Sequence, residues 1–166
     1  VSSPQQFPTI ASAPVFVISS DIQIGSDKLN NIRFQELAGI NSEISIEQYV
    51  SVGPGGLLDH TKQFGLTKPP TVTLKRGLDG SRVLWAWHQM ALQGSPLARA
   101  SWLGLDMFGG GITDAREGRP LVRYTLINAW CAKINISSAR AGEGVVTEDI
   151  LIACDMITLE DGGTGR

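Results

Sequence analysis

Ser42-Glu43-Ile44-Ser45-Ile46-Glu47-Gln48-Tyr49-Val50 changes character at almost every step. Ile44, Ile46 and Val50 fall on one side; Glu43, Ser45, Glu47 and Tyr49 fall on the other. Side chains alternate across an extended backbone with a period of two. The stretch therefore predicts a β-strand with one face buried and one face wet. Similar signals recur on both sides of it. Upstream, Val15-Phe16-Val17-Ile18 is a short apolar, β-rich run. A polar interruption from Gly25 to Asn31 separates it from Ile32-Arg33-Phe34-Gln35-Glu36-Leu37, a second candidate strand ending at Gly39. Downstream, Gly53-Pro54-Gly55-Gly56 breaks the pattern and predicts a long loop reaching to about Leu66. Loops of that length inside a compact domain are usually functional or disordered.

Pro69-Pro70 sets off the next strand, Thr71-Val72-Thr73-Leu74-Lys75-Arg76. Gly77 and Asp79-Gly80 turn the chain into a helix over residues 82–93, where Val83, Leu84, Trp87, Met90 and Ala91 form one stripe. Ser81 is the expected N-cap, and Gly94 and Pro96 are the stop. The second half reads as strands at 98–108, 121–136 and 145–159, the first ended by Gly109-Gly110-Gly111. In the last strand Val146, Ile150, Ile152, Cys154 and Met156 share one face. Thr147, Asp149 and Asp155 lie on the other, with Leu151 and Ala153. Residues 1–13, punctuated by prolines, read as a flexible arm. Residues 14–160 read as one domain, and 161–166 as a disordered tail.

The 166 residues suit a single domain. Charged residues make up 18%, slightly low for a lone soluble chain, as in subunits whose surface is partly covered by copies. Fourteen basic residues against sixteen acidic ones give a net charge of −2, so no general attraction to nucleic acid is expected. Lys75-Arg76 and the scattered Arg116, Arg119 and Arg123 read as solvated surface. The N-terminal stretch lacks the layout of a secretory signal, and no apolar run nears the ~20 residues that span a bilayer. Synthesis in the cytoplasm and no membrane anchoring are the expectation.

Motifs for chemistry are scarce. Cys131 and Cys154 form no C-x-x-C and read as small buried hydrophobes; a disulfide between them stays open. The chain contains neither H-E-x-x-H nor Gly-Lys nor G-x-S-x-G. Asp59-His60 is formally a dyad, but an exposed histidine without a nucleophile is the simpler reading, and His88 reads as helix-edge packing. Trp85, Trp87, Trp102 and Trp130 have no interleaved basic residues and read as core or interface aromatics. No catalytic residue, metal or cofactor is assigned. Two rivals from other classes are a ligand-binding β-barrel that uses the tryptophans as a pocket, and an enzyme that uses Asp59 and His60.

An ordered set of segments goes further. Phe34-Gln35-Glu36-Leu37-Ala38-Gly39 and the alternating strand through Glu47-Gln48-Tyr49 come first. Gly65-Leu66-Thr67-Lys68 with Val72-Thr73-Leu74-Lys75-Arg76-Gly77 follows, then Leu84-Trp85-Ala86-Trp87, Asn128-Ala129-Trp130 with Lys133, and the stretch from Glu148 to Ala153. Together, across roughly residues 15 to 160, they resemble the phage tail tube family. That family includes the inner tube proteins of myovirus tails, R-type bacteriocins, type VI secretion and extracellular contractile injection systems. Three departures are Cys131 where relatives often carry Pro, the lack of a Gly near 152–156, and the Gly109–111 insert; they leave a baseplate-proximal tube-initiator paralogue open.

The resemblance implies a mainly β, barrel-like fold of two orthogonally packed antiparallel sheets with one α-helix. It implies a structural subunit, not an enzyme, forming hexameric rings stacked into a hollow conduit. Its partners would be other copies of itself, a sheath protein, baseplate and tube-terminator proteins, and effector cargo or DNA in the lumen. The chain would be made in the cytoplasm of a bacterium and end in a phage tail or injection particle. Within this frame Val50, Val52, Gly53, Pro54, Gly55, Gly56, Leu57 and Leu58 are the candidate contacts between subunits or rings. Thr147 and Asp149 are candidates to face the lumen.

Overall fold

The computed structural model describes residues 15–109, 120–142 and 144–161. The expected arm at 1–13, most of the expected tail, Gly110, Gly111, Arg116 and Arg119 lie outside them. In chain order the elements are β1 (Val15–Ser19), β2 (Gln23–Ile24), β3 (Asp27–Lys28), β4 (Ile32–Phe34), β5 (Glu36–Val52) and β6 (Leu58–Gly77). They continue with α1 (Val83–Leu92), a 3-10 turn (Pro96–Ala98), β7 (Ala100–Phe108), β8 (Val122–Ile136), β9 (Thr147–Ala153) and β10 (Met156–Asp161).

The fold is mainly β with one helix. All main pairings are antiparallel and run in the order β4-β1-β7-β8-β9-β6-β5, with β10 also on β8. This path divides into two sheets at β8. The first half of β8 pairs with β7, and its second half, from Trp130 onward, pairs with β9. A strand that bends from one sheet into another makes the corner of an orthogonal packing. Asn128 provides the bend: its φ of 52° is left-handed, which Asn tolerates better than most residues. Its side-chain amide donates to Asp155 Oδ2 at 2.9 Å, and the Asp155 N–H donates to the Ile127 carbonyl at 2.9 Å. The chain opposite kinks at the same place. Residues 145–159, expected as one strand, are two, separated at Cys154-Asp155. Both pair with the same edge of β8, Trp130 with Ala153 and Ile127 with Met156, so the ladder keeps its register through the corner.

At the other end of the path, β4 passes into β5 through Gln35, whose N–H donates to the Lys75 carbonyl of β6 at 3.0 Å. The chain itself thus closes the barrel. Inside lie Phe16, Ile18, Phe34, Val72, Leu74, Leu103, Leu105, Leu126, Ile150 and Ile152, with Leu84 and Trp87 of α1 packed on them. The Trp87 indole N–H is satisfied by the Ala98 carbonyl at 2.7 Å, and His88 Nδ1 donates to the Cys131 carbonyl at 2.9 Å, fixing the helix to β8. Ser81 does not cap the helix: its N–H donates to Asp79 Oδ1, and the N-cap position is Arg82. The polar interruption at 25–31 holds the turn and second strand of a small hairpin, whose first strand, β2, precedes it.

One charged pair is closed inside the barrel end. Arg76 Nε donates to Glu148 Oε2 at 2.7 Å, with side chains 7% and 3% exposed. Arg76 Nη1 reaches Asp79 at 3.2 Å, while Nη2 is buried without a partner. Arg76 is therefore a core residue, a correction to its reading as surface. Arg123 makes a two-point contact with Asp106, at 2.6 and 2.9 Å.

Cys131 and Cys154 are free thiols and buried. Burial pushes the Cys131 thiol up to about 12 and the Cys154 thiol up to about 11. The native fold therefore favours the protonated thiols, whereas the unfolded chain ionises near pH ~8.5. Their contribution to stability is complete below that pH and is lost as pH rises toward the folded values. Iodoacetamide at pH 8 should leave both thiols unmodified in the native protein and modify both in urea. Fast native labelling would contradict their burial.

Candidate functional site

The predicted loop at 50–66 is not a loop. β5 continues to Val52, the chain turns over residues 53–57, and β6 returns from Leu58. Only the glycine-rich turn breaks the pairing. Gly53 N–H donates to the Leu57 carbonyl at 2.8 Å, and Gly55 and Gly56 adopt φ of 87° and 77°. Those angles suit a residue with no Cβ. Val50 and Val52 thus belong to β5, Gly53 to Leu57 to the turn, and Leu58 to β6. Pro69 and Pro70, expected to precede a strand, lie inside one. They fall where the register slips between Asn41/Thr71 and Glu43/Lys68. At such a bulge the ladder is interrupted and no N–H need be donated. A second slip, between Ile44/Thr67 and Ile46/Phe64, falls at Gly65, where a Cβ would meet Ser45 O at 2.9 Å.

Beyond these bulges the hairpin projects from the barrel as a two-stranded arm. Directly paired residues share a face. Ile46/Phe64, Gln48/Lys62, Val50/His60 and Val52/Leu58 make one face; Glu47/Gln63, Tyr49/Thr61 and Ser51/Asp59 make the other. The first face is rich in large apolar groups, and none of them is covered: Ile46 is 71% exposed, Phe64 90%, Val52 71% and Leu58 63%. The alternation that opens the sequence reading is real. Its expected burial is absent, because nothing among the described residues packs on that face. Phe64 was not among the candidate contacts; the polar residues around it on β6 hid the strand.

Thr147 and Asp149 lie on the outward face of β9. Asp149 stands between Lys75 of β6 and Asn135 of β8. The opposite face of β9 carries Ile150 and Ile152 into the core and Glu148 to Arg76. This second sheet therefore has one apolar face and one polar face.

The features proposed for the rival readings do not assemble. Asp59 and His60 are successive strand residues and point to opposite faces of the arm, and His60 Nδ1 contacts Gln48 Nε2 at 3.0 Å. The tryptophans are dispersed: Trp87 is buried, Trp130 lies under the Arg99 guanidinium at 4.7 Å, and Trp85 and Trp102 are half exposed. Among the described residues no group of three or more His, Cys, Asp or Glu is placed to hold a metal. No helix there is long and apolar enough to cross a membrane.

The site is thus a β-core that extends a two-stranded arm with one exposed apolar face. Residues 15–158 match the model of the T4-like virus tail tube protein gp19 family, and the chain belongs to that family. Its members are structural tail tube proteins. The structure is similar to a chain of the anti-feeding prophage tube-terminating cap, with TM-score 0.63, 16% identity, and 97% of this chain and 96% of that one covered. It is also similar to a chain of the sheath/tube terminator of the extracellular contractile injection system PVC in its extended state. There the TM-score is 0.65, the identity 16%, and the coverage 94% and 99%. A chain of the PVC sheath–tube complex gives TM-score 0.61 at 14% identity, with 97% and 99% covered. At these identities the likeness is one of fold. No curated protein matches the chain in sequence.

Proposed function

We propose that the chain is the repeating subunit of the inner tube of a contractile tail or injection system, assembled as hexameric rings that stack into a hollow conduit. The observation that carries this is the uncovered apolar face of the β5–β6 arm. A long two-stranded arm is marginal on its own. Its apolar face gains stability when it is laid on another copy. The ring would use strand edges. Among the described residues β5 pairs only with β6, and β10 only with β8, so each offers one open row of N–H and C=O groups there. Head-to-tail pairing of such edges closes a ring when its rotation divides a full turn.

In this reading Val50, Val52, Leu58 and the 53–57 turn meet a neighbouring subunit or ring. The polar face with Thr147 and Asp149 lines the lumen, and the outer surface meets a sheath. Effector protein or DNA passes inside, and baseplate and terminator proteins close the ends. No residue is required to perform chemistry.

Purified chain at rising concentration should form tubes visible by electron microscopy. Single rings of fixed length instead would make it a tube-initiating or terminal paralogue, and a monomer at all concentrations would overturn the proposal. Deleting residues 53–58 removes the turn and the tip of the arm, both outside the barrel. The deleted chain should keep its cooperative melt and form no tubes; normal tubes would remove the tip from the contact.

A further inference from the structure

The outward face of the first sheet carries a cleft of about 340 Å³. Leu103 and Leu105 of β7 point into the core, so Trp102, Gly104 and Asp106 point away from it. Their neighbours on that face are Ser19 of β1, Thr125 and Arg123 of β8 and, one strand further, Glu160 of β10. Gly104 has no left-handed φ. A Cβ there would make only ordinary contacts, at 3.7 Å to the Ser19 carbonyl oxygen and 3.8 Å to Trp102 Cζ3. Neither backbone conformation nor crowding within the chain thus requires glycine, which weakens an interior strand. Glycines so placed often mark a close approach by something else. Here the bare position lets the Trp102 ring lean over the sheet, while the residue stays 44% exposed.

The opposite wall of the cleft is charged. Asp106 and Arg123 satisfy each other through their two-point contact. Glu160 stands across from Arg123 in the register but makes no ion pair among the described residues; Thr125 Oγ1 donates to it at 3.4 Å. The cleft therefore combines an open aromatic face with two carboxylates and one guanidinium, and one carboxylate lacks a cation. We propose that it receives an arginine side chain of a basic partner protein, the guanidinium lying on Trp102 and its N–H groups reaching Glu160. A guanidinium is flat, always charged and weakly hydrated. It can stack on an indole and still donate to a carboxylate at its edge. A neutral ligand would leave Glu160 unanswered, and an anion would meet like charge. This chain is itself net −2, so a second copy is the poorer source. The cleft is complete in the dispersed subunit, so the inference stands or falls apart from tube formation.

The test titrates N-acetyl-arginine amide into the ¹⁵N-labelled protein, with N-acetyl-citrulline amide as its neutral isostere. The arginine derivative should move the Trp102 indole resonance and the Gly104 and Thr125 amides, saturating with a Kd of about 10 mM or below. The citrulline derivative should bind at least about threefold more weakly. The Trp130 indole, already under Arg99, should not move. Glu160→Gln and Trp102→Leu change exposed side chains, so the fold should persist. Each should weaken arginine binding at least about threefold, read at the Gly104 and Thr125 amides. No saturable shift, equal binding of the citrulline derivative, or unchanged binding in either variant overturns the inference. Shifts caused by methyl β-glucoside and not by the arginine derivative overturn it as well, in favour of a sugar site.

Discussion

Replacing Ile46 and Phe64 together by lysine should abolish tube formation and leave the subunit folded. The two face each other across the arm, 71% and 90% exposed, so the isolated chain loses almost no packing when they change. Substitutions at such positions usually move stability by less than ~0.5 kcal/mol. In the assembled state the same pair is proposed to be covered. Burying an Ile or Phe side chain is favourable by roughly 1.5–3 kcal/mol each, so the pair contributes about 3–6 kcal/mol to docking. At ~1.4 kcal/mol per factor of ten, its loss weakens each contact by at least about a hundredfold. The new ammonium groups add a desolvation cost in the same direction. Sedimentation velocity and thermal melting report the two halves of the prediction separately. Tubes of normal length from the double variant would show that this face stays in water, and the proposed contact would be withdrawn.

Glu148→Gln should be among the most destabilising single changes available in the chain. It leaves the Arg76 guanidinium buried with only Asp79 as a charged partner, and one of its nitrogens already lacks an acceptor. Breaking a buried ion pair from one side costs about 3–5 kcal/mol, a large share of the ~5–15 kcal/mol that holds a typical domain together. The pair Arg76→Met with Glu148→Leu should recover most of that loss, since neither charge is then stranded. Urea unfolding of the single and double variants measures both. A single variant within ~1 kcal/mol of wild type would mean that water reaches the guanidinium. Lys68 and Glu43 are equally close, at 2.8 Å, but 60% and 50% exposed. Lys68→Ala should therefore cost less than ~1 kcal/mol, and less still in salt.

The elements visible from sequence are those whose local pattern and tertiary role agree. β1 buries Phe16, Val17 and Ile18 in succession, while β6 beyond residue 71 and α1 each bury one side, so an apolar run or apolar spacing reports them. Residues 58–68 belong to the same continuous strand, yet Thr61, Lys62 and Gln63 show no alternation because neither face meets the core. There Gly65, and the proline pair that was read as setting off a new strand, mark bulges in a continuous ladder. The break at Cys154-Asp155 escaped for a different reason. It is set by the corner in β8, a contact with Ile127 and Asn128 far away in sequence. Within the candidate site, the apolar tip residues were legible because they flank an obvious turn. Phe64 was not, since its significance comes from standing opposite Ile46.

The corner at Asn128 has a mechanical consequence. β8 and its neighbouring ladder keep one register across the corner, from Ile127/Met156 to Cys131/Ile152, and slip only beyond it, so the two sheets share main chain as well as side-chain packing. A push on one sheet is carried into the other by covalent bonds and a row of amide hydrogen bonds strained in parallel. Shearing the subunit apart would demand that many of these links fail at once, whereas two separate sheets could glide over a greasy seam. Stiffness under thrust is thus written into the backbone path itself.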